Sequence, residues 1–412
     1  MKMKRLAAVL TALTLLCAGT ARGEGKKTMF EAEWYRAALE DSVMSAGNNA
    51  RLKKVIERAR GGEEITLATI GGSITEGAGA STYSECWASR FAVRFGNAYG
   101  VNKGKNVHLV YAGVGGTPSP FGYMRYNREV VGRVPEQDAD SLPDVVVIEF
   151  SVNDWQEPTN HRCFESMVKE ILDAPNEPAV ILLFAVFRNG FNLQEDLKRI
   201  GENYRLMMVS IKDGFYKHIG KEEGLTPNDF FFDEYHPTSL GHRIMTDCLM
   251  QAVGDAAEAE QDEPQDTNIK PVYGTSFVGL KTIFGDTETE EFTVDRGGFC
   301  STDTTSYRNR PVGQVCGPNF FHKAKDPADP LKVTGVFRKC LVAWKASNDG
   351  TFGTLEILID GEVKKTLKGG ADKWGQSEVV LVLDDREAAE HTLEIRVKEE
   401  GKKGTITAIG LQ

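Results

Sequence analysis

Gly71-Gly72-Ser73-Ile74-Thr75-Glu76-Gly77 is the stretch on which the reading of this chain turns. Residues 64–70 before it, Glu-Ile-Thr-Leu-Ala-Thr-Ile, are a β-branched and apolar run that predicts a strand. Beyond Gly79, Trp87, Phe91 and Phe95 recur every fourth residue, with Ala88 and Ala92 beside them, which predicts a helix over residues 82–98. One serine therefore sits in a glycine-rich turn between a buried strand and a helix. Open α/β sheets carry their chemistry at such turns, outside the carboxyl ends of their strands.

Three phosphate or nucleophile motifs do not fit this turn. A P-loop ends in Gly-Lys-Ser/Thr, and no lysine is present; a G-x-G-x-x-G fingerprint meets Thr82 at its last position; the elbow G-x-S-x-G meets Thr75. Taken alone, the stretch is only a tight turn, and the remainder of the chain has to decide.

Strands and helices alternate from residue 63 to about 254. Residues 64–70, 107–112, 145–150 and 179–187 read as strands, and residues 82–98, 122–132, 161–173, 197–219 and 239–257 as helices. Continuous apolar strands between helices imply a parallel sheet covered on both faces. Residues 24–62, holding two helices at 29–42 and 47–60, are expected to pack on this unit, with Gly61-Gly62 stopping the second helix. Residues 255–271 read as an acidic linker, with six acids and no base over 254–268. Residues 272–412 change rhythm: Leu355, Ile357 and Ile359 alternate up to Asp360-Gly361, a hairpin signal, and Leu393, Ile395 and Val397 alternate again. A β-sandwich or jelly roll is expected there.

The N-terminus reads differently. Residues 1–5 carry three positive charges, residues 6–16 are apolar or small, and Ala18, Gly19 and Ala21 follow. Residues 1–23 are thus expected to be a secretory signal peptide, too short for a membrane span. Leu16 is bulky where lipidation of Cys17 wants a small residue, so no lipid anchor is expected. Removal of residues 1–23 takes four positive charges and no acid, moving the net charge from −10 to −14. Such acidity argues against nucleic-acid binding, which needs a basic footprint. Six cysteines remain without a C-x-x-C pair, which argues against a zinc cage. Export permits disulfides, and Cys300 with Cys316 is the candidate pair; Cys86 and Cys248 read as buried small hydrophobes.

A serine hydroxyl needs a base, and the base needs an orienting group. Among seven histidines, His236 follows Asp233 by three residues in a loop entering the last helix, so the carboxylate can reach the imidazole. His242 has no such partner and reads as structural. Donors for an oxyanion can come from Gly113-Val114-Gly115-Gly116 after the second strand and from Ser151-Val152-Asn153-Asp154 after the third.

The order and spacing of these four blocks over residues 63–254 resemble the SGNH hydrolases, the superfamily of GDSL esterases and lipases. The resemblance implies a flavodoxin-like three-layer sandwich. It places the nucleophile at Ser73, the oxyanion hole at Ser73, Gly116 and Asn153, and the acid–base pair at Asp233 and His236, with no metal and no other cofactor. The chain departs from the family's pattern at Gly72, where GDSL members have Asp, and at Ser151, where Gly is usual.

Secreted two-domain members with this first block include carbohydrate esterases, which implies an acetylated polysaccharide of the xylan or mannan type as substrate. Trp155 and Tyr123 are the aromatic candidates for stacking on sugar, and Phe121 and Tyr126 lie close by in sequence. In the β domain Trp374 reads as a surface platform and Trp344 as core. Two other readings stay open: an esterase or thioesterase for lipid or other small acyl groups, and a non-catalytic surface binding protein.

Overall fold

The computed structural model describes residues 28–135, 141–305, 318–370 and 374–412. The expected signal peptide and Cys316, the candidate partner of Cys300, lie outside the described residues.

In chain order the first unit comprises α1 (Glu33–Ser42), β1 (Val43–Ser45), α2 (Ala50–Gly61), β2 (Ile65–Gly71), α3 (Ser73–Glu76), α4 (Trp87–Tyr99), β3 (Val107–Gly113), α5 (Ser119–Glu129), β4 (Val145–Glu149), α6 (Arg162–Leu172), β5 (Ala179–Phe184), α7 (Gln194–Asn203), β6 (Met207–Ser210), α8 (Ile211–Gly214), α9 (Pro227–Phe230) and α10 (Ser239–Glu258). Strand order in the sheet is β1-β6-β5-β4-β2-β3. Strands β2 to β6 are parallel, and β1 closes one edge antiparallel to β6. Without that edge strand this is the flavodoxin-like order, which reverses direction at β2.

Every residue of β2, β4 and β5 is buried, because helices cover both faces. Alternate side chains feed two cores. Leu67, Val145, Val147 and Ile181 meet α2, α4 and α10 through Leu52, Phe91, Phe95 and Leu249. Ala68, Ile70, Val146, Ile148 and Leu182 meet α5, α6 and α7 through Phe121, Met167 and Ile200. Cys86 and Cys248 are fully buried on the first of these faces.

One stretch departs from its expected form. Residues 197–219 do not make a single helix: α7 ends at Asn203, Arg205 takes a positive φ of 52°, and β6 follows. Leu206-Met207-Met208-Val209 is an unbroken apolar run. Its burial between β5 and β1 outweighs the helical pattern on either side.

The second unit is all antiparallel: β7 (Lys281–Ile283), β8 (Phe292–Asp295), β9 (Phe320–His322), β10 (Leu331–Ser347), β11 (Leu355–Ile359), β12 (Glu362–Leu367), β13 (Trp374–Val397) and β14 (Gly404–Leu411). Its strands form one hydrogen-bonded network, because β10 pairs with β8 near its start and with β14 near its end, and with β13 throughout. Register shifts beside Phe337 and Cys340 are bulges, which bend a strand. Asp360 and Gly361 both take positive φ, 53° and 79°, as the two-residue hairpin between β11 and β12 requires.

The two units share a core. Along β10 and β14, Val342, Ile409 and Leu411 face the β unit's own interior, whereas Leu341, Ala343 and Ala408 pack with Phe121 and Met124 of α5. The buried Glu165 of α6 accepts three backbone N–H groups, from Val272, Tyr273 and Gly274, at 2.6–2.8 Å. The acidic stretch before them is held as well. Asn49 bonds Asp262 and Glu260, and Asn48 bonds the Glu263 carbonyl.

Candidate active site

The three groups of the expected triad come from the two ends of the α/β unit and stand in one line. Ser73 opens α3 directly after β2. His236 Nε2 lies 2.9 Å from Ser73 Oγ, and His236 Nδ1 lies 2.8 Å and 3.0 Å from the two oxygens of Asp233. An ionised carboxylate only accepts, so Nδ1 carries the proton and Nε2 turns its lone pair toward the hydroxyl. Burial pushes the Asp233 carboxyl up, but the imidazole and the N–H groups of Tyr235 and His236 outweigh it and hold it below the usual carboxylate range.

The loop that presents His236 is closed on itself. The Phe232 N–H donates to the His236 carbonyl at 2.9 Å, and Thr238 N–H to the Phe230 carbonyl at 2.8 Å. Thr238 then caps α10 by accepting from Gly241 N–H. His236 thus sits between a clamped turn and a helix start, rather than on a free loop.

The two further donors expected from the sequence lie on the turns after β3 and β4, the strands that flank β2. Gly116 takes φ +68° in the turn between β3 and α5, a conformation that favours glycine. Asn153 lies in the turn after β4, its N–H bonded to the Phe150 carbonyl at 2.9 Å. Its carboxamide covers Gly72: a Cβ at position 72 would stand 2.2 Å from Asn153 Oδ1. The departure at Gly72 therefore has a steric reason, since the Asn153 side chain fills the place of the missing one.

Two further acids lie under these turns. Thr75, two residues after Ser73, donates its hydroxyl to Glu149 Oε2 at 2.9 Å; Ser119 N–H donates to Asp154 Oδ1 at 2.7 Å. Glu149 is absent from the sequence-based site. Its signal is an acid inside the apolar run Val145-Val146-Val147-Ile148-Glu149-Phe150, where a doubly covered strand has no use for one.

His242 is structural, for a visible reason. Its Nδ1 accepts the Trp87 N–H at 3.3 Å and its Nε2 donates to the Ala78 carbonyl at 3.0 Å. Burial lowers its pKa to about 4.

The aromatic expectations divide. Trp155 is 58% exposed on the turn that follows Asn153. Tyr123 is a correction: it is 4% exposed, and its hydroxyl bonds Glu170 and the Phe277 carbonyl, so it joins the two units instead of facing a substrate. Phe121, Tyr126 and Trp344 are buried too. The side chain of Trp374 lies outside the described residues. Sequence reasoning missed Phe232 and Tyr235, which flank Asp233 and are 69% and 56% exposed. No group of metal-ligating side chains occurs among the described residues, and no described helix is long and apolar enough to cross a membrane.

Residues 69–244 match the model of the GDSL-like lipase/acylhydrolase family. No curated protein matches the chain. Among solved structures, the chain is similar to a two-domain esterase (CEX) active on acetylated mannans, with 23% identity, a TM-score of 0.75, and coverage of 90% of this chain and 97% of that one. The same esterase co-crystallized with mannopentaose aligns at 24% identity with a TM-score of 0.73, covering 90% and 97% of the two chains. That likeness spans both units and establishes the shared two-domain fold. The residues matched to the GDSL-like lipase/acylhydrolase family run from just before Ser73 to just past His236, so that similarity takes in the whole nucleophile-to-histidine region of the α/β unit.

Proposed function

We propose that this protein is a serine esterase that removes O-acetyl groups from a mannan- or xylan-type polysaccharide. The observation that carries the reading is the hydrogen-bonded line from Asp233 through His236 to Ser73, with the Asn153 carboxamide against Gly72 next to the nucleophile. The substrate class is supported by the two-domain likeness to an esterase active on acetylated mannans and by exposed aromatic rings around the line.

The reaction runs in two halves. Ser73 Oγ attacks the ester carbonyl carbon while its proton passes to His236 Nε2. The carbonyl oxygen, now negative, takes hydrogen bonds from the N–H groups of Ser73 and Gly116 and from the Asn153 carboxamide. Asp233 keeps the imidazole in the required tautomer and stabilises its charged form. The C–O bond to the sugar then breaks, and His236 returns the proton to the departing sugar hydroxyl. Water attacks the acetyl-serine with His236 again as base. Acetate leaves and Ser73 regains its proton.

Export is part of the same proposal. It rests on the charge, apolar run and small residues of positions 1–23. A second reading, hydrolysis of longer acyl esters, draws support from the exposed Phe232 ring beside Asp233.

Acetate release from acetylated mannan, xylan and pectin, with p-nitrophenyl esters of increasing chain length alongside, separates these. The proposal expects release from mannan or xylan and a preference for acetate. It expects Ser73→Ala to lose roughly 10^6-fold in kcat with the fold intact. Full activity in Ser73→Ala refutes the mechanism, and a preference for long chains refutes the substrate.

A further inference from the structure

Two carboxyl groups beneath the site have no part in the steps above. Glu149 closes β4 and is 0% exposed; its Oε2 accepts the Thr75 hydroxyl, and its Oε1 has no hydrogen-bond partner. Asp154 is 3% exposed; its Oδ1 accepts the Ser119 N–H, and its Oδ2 has no partner.

Their two partners bracket the oxyanion pocket. Thr75 shares the short helix α3 with Ser73. Ser119 opens α5, three residues beyond Gly116. The Glu149 carbonyl also accepts the Gly72 N–H, at 3.3 Å. One carboxyl therefore grips the wall that carries the nucleophile and the other the wall that carries the glycine donor. Asn153, the third donor, lies on the chain between them.

An ionised carboxylate in such a place lacks compensation. Each has one bonded oxygen and one oxygen without a protein partner in a buried place, an arrangement that costs several kcal/mol for an anion. Among the described residues no cation faces either group. The titratable neighbours are the two carboxyls themselves, Glu157 beyond Asp154, and the Cys163 thiol of α6. Burial lifts the Glu149 carboxyl to about 8 and the Asp154 carboxyl to about 8.

We infer that Glu149 and Asp154 are positioning residues of the esterase, which hold the nucleophile turn and the glycine-donor turn in place as neutral acids and drag both out of place when they ionise. The inference rests on the Ser73 reading of the site. The Asp154 charge raises the Glu149 carboxyl further, by less than burial does. Each negative charge drives its carboxyl to seek water and pulls on Thr75 or Ser119. The oxyanion donors then drift from their places, so the turnover step weakens while binding of the sugar is untouched.

The experiment follows kcat and KM for an aryl acetate from neutral to alkaline pH in wild type, Glu149→Gln, Asp154→Asn, the double isosteric variant and Glu149→Ala. Wild-type kcat is expected to fall about 10- to 100-fold above the titration of the pair, with KM steady, the scale of a misplaced catalytic geometry. The double isosteric variant keeps neutral-pH kcat within a few-fold and loses the alkaline fall. Glu149→Ala loses about 10-fold in kcat at every pH with KM unchanged. A double variant that retains the alkaline fall overturns the inference.

A second measurement needs no variant to fold. Infrared spectra of the wild type at neutral pH should show the carbonyl band of protonated carboxylic acid, and absence of that band overturns the inference. A wild type that shows the band but does not hydrolyse esters sinks the Ser73 reading instead, so the two failures are distinct.

Discussion

Replacing Gly72 by alanine should perturb the proposed oxyanion pocket without removing any group assigned to it. The φ of Gly72 is −87°, outside the left-handed region that favours glycine. The obstacle is space. The new methyl group would stand 2.2 Å from Asn153 Oδ1, 2.7 Å from its Cγ and 2.9 Å from its Nδ2. Carbon contacts become comfortable only at about 3.5 Å, so the carboxamide has to retreat by about 1 Å. Asn153 has little freedom to do so as a unit, because the next residue, Asp154, is tied to Ser119. Loss of one oxyanion donor costs about 10²- to 10³-fold in kcat, or about 2.7–4 kcal/mol of transition-state stabilisation. Gly72→Ala should therefore behave like Asn153→Ala. In the double variant, truncation at 153 makes room for the methyl group, so the loss should match Asn153→Ala alone rather than the product of the two. The assay is kcat/KM on an aryl acetate, with a thermal melt to confirm that each variant is folded. Gly72→Ala within threefold of wild type, or losses that multiply in the double variant, would refute the placement of Asn153 over Gly72.

Three further outcomes are expected. Asp233→Asn should lower kcat by about 10^4-fold while leaving the fold unchanged, because the imidazole loses the partner that sets its tautomer; a loss under tenfold contradicts that role. His242 is held neutral, with a folded-state value of about 4 below its unfolded value of about 6.5, so the folded state binds fewer protons in between. Its contribution is complete above the unfolded value and is lost as the pH falls toward the folded one, by about 3 kcal/mol in all; urea unfolding across that window should show this slope in wild type and not in His242→Gln. Glu165→Ala leaves three half-buried N–H groups without their acceptor and should lower the unfolding free energy by about 2–3 kcal/mol, with Glu165→Gln recovering part of it; calorimetry that finds the alanine variant as stable as wild type contradicts the clamp.

What the sequence discloses here depends on the range of the physics involved. Asp233 and His236 are three residues apart, so their pairing is a local matter and legible from spacing. Ser73 is legible because a strand, a glycine turn and a helix follow one another in the chain. The cover of Gly72 by Asn153 is not, because β2 and β4 become neighbours only in the sheet. Tyr123 shows the same boundary from the other side. Its nearness to Gly116 in sequence says nothing of which side of α5 it occupies, and that side meets α6 and the β unit. The strand at Met207–Ser210 is four residues long and buried throughout, too short an apolar run to stand out against flanking helical patterns. In the β unit the hairpin at Asp360-Gly361 is legible from two residues, since both positions need positive φ. The way β10 passes from β8 to β14 is set by bulges, which leave no mark in the alternation of side chains.

The most direct test of the central claim is to react the protein with a fluorophosphonate probe and map the adduct by mass spectrometry. The account predicts a single adduct on the Oγ of Ser73, absent from Ser73→Ala and slowed in His236→Ala. An unlabelled wild type, or an adduct on a different residue, contradicts it.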